Sequence, residues 1–145
     1  MTCLTVFLYG CETWVVSSQQ QLSINAFPTS CYRIILEVKR TDRIPNNQIL
    51  EQTKQVDLYE TVKLRQLKFI GHLLRMQKDE PCHIYALYEP SNMGHRNRGR
   101  QPMNYRKYIA SILGDEALQA KQIEEYASNR EEWKKLVAVR IKAVE

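Results

Sequence analysis

From Leu58 to Met76 apolar side chains recur every three or four residues, and that spacing is the strongest constraint in the chain. Leu58, Val62, Phe69, Ile70 and Leu73 form one broad stripe, which is the signature of an amphipathic helix. Asp57 stands at the cap position with Glu60 three residues on. Gly71 interrupts the stripe without ending it, at ~1 kcal/mol relative to Ala. The helix is expected to run to about Met76.

The rest of the 145 residues follows the same period. Gln19 to Val38 places Phe27, Cys31, Ile34, Ile35 and Val38 on one face, with Cys31 expected as a buried thiol and Pro28 as a break or kink. A short helix is expected after Pro45, capped by Asn46, with Ile49 and Leu50 inward. Cys82 to Tyr88, between two prolines, fits a strand or a helical turn. Ser91 to Pro102 reads as a loop. Tyr105, Tyr108, Ile109 and Ile112 resume the helical spacing, which stops at Gly114. Asp115 is placed to cap a further helix through Leu118, Ile123 and Tyr126. Asn129, with Glu132 in the capping-box position, starts a last helix carrying Trp133, Leu136, Val137, Arg140, Ile141 and Val144. Glu131 and Lys135 are spaced as an i,i+4 pair. The expectation is an all-α fold, a small multi-helix domain with a basic loop, and an undetermined first ~15 residues.

Composition excludes several classes. Hydrophobic residues make up 43% and charged residues 26%, so the chain is neither a disordered tail nor a fibrous repeat. No apolar run approaches the ~20 residues of a membrane span. No positively charged segment precedes Leu4 to Tyr9, so no secretory signal is read. Four cysteines are too few for a disulfide scaffold. They read as reduced thiols in a nuclear or cytoplasmic protein that is not secreted.

The net charge of +5 is unevenly distributed. Thr61 to Gln77 holds Lys63, Arg65, Lys68 and Arg75 and no acid. Ser91 to Gly114 holds Arg96, Arg98, Arg100, Arg106 and Lys107, again with no acid. The last 31 residues carry seven acids against six bases. On a helix, Arg65, Lys68, His72 and Arg75 fall at offsets of 3, 7 and 10 and form one stripe opposite the apolar face. Such a stripe repels itself unless an anion lies near. Phosphate is the natural candidate, and a solvated helix face is the alternative. In Gly94 to Pro102, alternating arginines suit bidentate phosphate contact or a narrow minor groove. The same loop also reads as a soluble linker, and Gln101 weakens its match to an AT-hook core. His72 either hydrogen-bonds a phosphate or packs near Gly71. Trp14, Trp133 and Tyr105 read as core rather than as base-stacking groups. The sites expected to bind RNA or DNA phosphates are therefore Arg65, Lys68, His72, Arg75, Arg96, Arg98, Arg100, Arg106 and Lys107.

No glycine-rich phosphate loop is present. Cys82, His83, His95 and His72 lack paired zinc-ligand spacing, so no metal site is assigned. The carboxylates are scattered rather than clustered as a two-metal centre requires. No catalytic residue and no cofactor are assigned to this chain.

Six ordered segments carry a resemblance. Leu8-Tyr9-Gly10-Cys11-Glu12-Thr13-Trp14 resembles the LYGCETW signature beyond the polymerase core of non-LTR retrotransposon endonuclease–reverse transcriptases, the RTE-like ones in particular. Cys31-Tyr32-Arg33-Ile34-Ile35-Leu36 is similar to the family's CYRRIL. Thr41-Asp42-Arg43-Ile44 with Asn46 and Ile49-Leu50 resembles TDRVTNEEVL. Arg65 to Met76 resembles RRLRFLGHVLRM, Arg96 to Pro102 resembles RRGRGRP, and Asn129 to Val137 resembles DRERWRRLV. The chain departs at Phe27-Pro28-Thr29-Ser30, where the family has a Met-Trp pair, and at Tyr105, where it has Trp. Val38-Lys39-Arg40 also lacks the usual Trp.

The resemblance implies a post-catalytic, thumb-side and C-terminal helical region, with residues 1–17 the remnant of a preceding thumb segment and 91–102 the basic loop. The parent RNA-directed DNA polymerase would use Mg2+ at a Tyr-x-Asp-Asp motif. That motif and the endonuclease lie upstream in the family and are not in this sequence. Met1 stands almost directly before the first signature, so a truncated copy, inactive as an enzyme by itself, is expected. The partners expected are nucleic-acid phosphates, with the missing polymerase domain or self-association as a protein-interaction alternative. A decayed element without selected function is the remaining alternative. No membrane partner is expected.

Overall fold

The computed structural model describes residues 2–88, 103–115 and 118–141. Among them lie eight α-helices and no strand, so the fold is all-α. The helices are α1 Thr2–Phe7, α2 Ser18–Ile35, α3 Asn46–Thr53, α4 Leu58–Leu73, α5 Pro81–Ala86, α6 Tyr105–Ile112, α7 Ala120–Ser128 and α8 Arg130–Arg140. A 3-10 turn, Cys11–Thr13, follows α1. No described helix is long and apolar enough to cross a membrane.

Helix α4 is the hub, packing against the 3-10 turn, α2, α5, α7 and α8. Its inward residues, Leu58, Val62, Leu67 and Ile70, join Ile109, Ile123, Trp133, Val137 and Ile141 in one core. Each fully buried side chain of this size contributes about 1.5–3 kcal/mol relative to exposure. The buried line Leu58, Val62, Gln66, Ile70 repeats every four residues, and its third member is polar. Gln66 Nε2 donates to the Cys11 and Trp14 carbonyls, both at 2.9 Å, and its Oε1 accepts from the Tyr108 hydroxyl at 3.0 Å. Its side chain is thereby satisfied, as a buried amide must be. The network ties the N-terminal segment to α4 and α6. Tyr105 adds a hydroxyl bond to the Glu12 carbonyl at 2.8 Å. The segment from Leu8 to Val16 is thus an integral part of the fold.

Helix ends follow their chemistry. Ser17 and Gln20 form a reciprocal capping box at the start of α2. Asn129 Oδ1 accepts from the Glu131 and Glu132 amides, as its position predicts. Asp57 makes no side-chain cap on α4. Asn25, from the middle of α2, accepts from the Tyr59 amide instead, at 2.9 Å. Helix α7 begins at Ala120 after Gln119, not at Asp115. Lys134, not Lys135, bonds Glu131, at 2.8 Å.

Helix α2 shows no break at Pro28 and corrects the expected buried face. It continues through Pro28, where the Thr29 and Ser30 hydroxyls donate to the Asn25 and Ala26 carbonyls of the preceding turn. It also buries a different face, Ile24, Pro28 and Thr29. Ile34 and Ile35 are 78% and 73% exposed, and Cys31 is only half-buried. Near the end of α2, Arg33 donates to the Ile44 carbonyl and to Asn46 Oδ1 at the start of α3. Phe27 finds a partner, stacking on Phe7 at 5.1 Å.

Candidate nucleic-acid interface

Helix α4 presents Arg65, Lys68 and His72 to solvent on the side away from its buried line. The fourth member of the expected stripe departs from it. The helix ends at Leu73, and Arg75, beyond the end, donates from Nη1 to the Ala127 carbonyl of α7 at 2.9 Å. The end of the helix is fixed beside Gly71, whose Cα lies against the Trp133 indole. Trp133 in turn donates from Nε1 to the Leu67 carbonyl at 2.9 Å, clasping α8 to α4.

That clasp builds a cleft. Lys68, His72 and Arg75 line one side, and Arg130, Trp133 and Lys134 of α8 line the other, around about 560 Å³. No carboxylate stands among the described lining residues. Glu131 bonds Lys134 at 2.8 Å, and that ammonium holds the Glu131 carboxyl below its ordinary value. Burial, and then the Arg130 charge, hold the Arg75 guanidinium below its ordinary value. Two cations thus stand close together, and a bound anion would relieve their repulsion.

The other expected residues are placed differently. Arg65 is exposed but faces the N-terminal turn, within reach of the Cys11 thiol. Burial, then the Glu12 charge, push that thiol up, while Arg65 pulls it back. Lys63 is paired with Glu60 at 2.7 Å and lies over the Tyr59 ring. Arg106 corrects an expectation. It is only 6% exposed and donates to the Leu118 carbonyl, so it braces α6 against the segment before α7 rather than facing a partner. Lys107, its neighbour, is exposed. Arg96, Arg98 and Arg100 lie outside the described residues, as does His95.

A second cleft, of about 660 Å³, lies on the other side of Arg75. There Glu124 sits 3.6 Å from His83 and 3.8 Å from Lys78, so its charges are mixed. No group of three His, Cys, Asp or Glu is gathered as metal ligands among the described residues.

Sequence reasoning missed Arg130 and Lys134. They belong to a stretch whose acids and bases nearly balance, and only the Trp133 contact brings them opposite Lys68. No local signal marks them. The Leu58, Val62, Gln66, Ile70 spacing, by contrast, does mark Gln66 as inward.

No family model, no curated protein and no solved structure matches this chain.

Proposed function

We propose that this chain is a nucleic-acid-binding helical region of a non-LTR retrotransposon reverse transcriptase, holding phosphates and carrying no polymerase or endonuclease step of its own. The observation that supports this most is the cleft in which Lys68 of α4, Arg75 just beyond it and Arg130 of α8 surround one concavity with His72 and with Lys134, itself bridged to Glu131. A surface that tracks a polyanion gains affinity by releasing its counterions, and opposed cations on two helices can follow successive phosphates. The ordered sequence motifs supply the family.

The basic loop belongs to the same reading through its sequence. Replacing Arg96, Arg98 and Arg100 together with Ala should flatten the dependence of log K on log[salt] by roughly 2–3 units. Fluorescence anisotropy with a labelled RNA or DNA, over a salt series, measures it. An unchanged slope removes the loop from the interface, and no binding at low salt removes the reading.

A second reading has its own observation. Val6, Ile34 and Ile35 are 77%, 78% and 73% exposed, an uncommon display for large apolar side chains. Under this reading the chain is a protein-interaction module. Concentration-dependent dimerisation at low micromolar chain, lost on changing Ile34 and Ile35 to Lys, would favour it.

A further inference from the structure

Beside the cationic cleft lies an apolar pocket of about 250 Å³. Leu64 of α4 and Ala138 form its walls, and Trp133, Val137 and Ile141 form its floor. Lys68, Trp133 and Lys134 line both the pocket and the cleft. A ligand spanning the two would therefore need a flat apolar body joined to an anion.

We propose that the pocket seats one unpaired nucleobase of a strand whose phosphates lie in the neighbouring cleft, which makes the chain a reader of single strands rather than of closed duplex. The inference rests on the phosphate reading above. A volume below the roughly 300–1,000 Å³ of pockets that take whole drug-sized ligands suits a single ring system. A base inside a duplex is stacked on both faces and cannot enter without leaving the stack, whereas a single strand offers its bases freely. Sites for single strands combine a positive track with aromatic or apolar seats for the bases.

Trp133, Val137 and Ile141 are buried and form the floor, with the Trp133 N–H held by the Leu67 carbonyl, so the surface a base would meet is that of Leu64, Ala138 and the stems of Lys68 and Lys134. With that N–H already engaged and the other non-lysine lining side chains apolar, the pocket reads the shape of a base and not its hydrogen-bonding edge. The site therefore accepts any base, with little sequence preference.

The test uses the full chain and four labelled probes: an oligothymidylate single strand, the corresponding blunt duplex, a strand of equal length carrying the same phosphates with abasic sites throughout, and an acidic amphipathic peptide. At equal salt the single strand should bind about tenfold tighter than the abasic strand, with the same salt slope. Ala138 is exposed and outside the cationic set. Ala138→Phe fills the pocket, and it should bring the single strand down to the abasic level while leaving abasic binding unchanged. If that variant melts early, Ala138→Leu serves the same purpose.

Equal binding of the single and abasic strands overturns the base pocket and leaves the phosphate reading standing. Preference for the blunt duplex, or a single-strand preference that survives both fillings, also overturns it. Tighter binding of an acidic amphipathic peptide than of the single strand reassigns the pocket to a protein. No binding of any nucleic acid at low salt removes the pocket and the phosphate reading together.

Discussion

Gly71→Ala tests the clasp that creates the cleft. A Cβ at this position would lie 2.2 Å from Trp133 Nε1 and 2.7 Å from Cδ1, well inside contact distance. The indole is buried and cannot swing into solvent without leaving the core. Overpacking of this kind costs about 1–3 kcal/mol. Displacing the ring also strains or breaks its bond to the Leu67 carbonyl, which adds about 1–3 kcal/mol. Alanine returns about 1 kcal/mol through its better helix propensity. The net expectation is a loss of about 3 kcal/mol, or a melting temperature lower by about 10 °C for a chain of this length. Thermal unfolding followed by circular dichroism measures it. A cycle with Trp133→Leu isolates the contact, because in that background Gly71→Ala should cost little or even stabilise. If Gly71→Ala is as stable as the parent, or costs as much with the indole removed, the clasp is wrongly assigned.

Two further perturbations separate stability from binding. The Tyr105 hydroxyl is pushed up to about 12, first by burial and then by the Glu12 charge. Its folded value thus lies above the ordinary ~10, so its contribution is whole below pH 10 and fades as pH climbs toward 12. Urea unfolding at pH 9 and 11.5 should show a drop smaller by about 1–2 kcal/mol in Tyr105→Phe than in the parent. An identical drop in both contradicts the burial argument. Arg106→Ala should cost about 2–3 kcal/mol of stability, because a buried charged donor to the Leu118 carbonyl is lost, and should leave the salt slope of binding unaltered. Normal stability with a flattened slope would return Arg106 to the interface.

The fold class was legible because helix periods and caps are local. Asn129 caps α8 where its sequence position says it should, and the Tyr105 to Ile112 spacing ends in a helix stop at Gly114. Faces were less legible where tertiary contacts outweighed hydropathy. Along α2, Ile34 and Ile35 made the more apolar stripe, yet the helix packs on α3 and α4 through Ile24, Pro28 and Thr29 and leaves them outward. Asp57 carried the better cap signal for α4, yet Asn25 reached the Tyr59 amide from another helix. The interface was half visible for the same reason. Lys68, His72 and Arg75 share one acid-free segment and can be picked out by counting. Arg130 and Lys134 sit among glutamates and join them only through the packing of Trp133 on Gly71. Arg106 shows the converse error, since a run of bases does not say which of them points inward.

If α4 and α8 together hold phosphates, the salt slope of the Lys68→Ala, Arg130→Ala double variant measures it most directly. These two side chains are exposed and come from opposite walls, so their removal should leave the melting temperature unchanged. The slope of log K against log[salt] should fall by about 1.4–1.8 units relative to the parent, each single variant giving about half. A slope identical to the parent's, measured on a folded double variant, would contradict it.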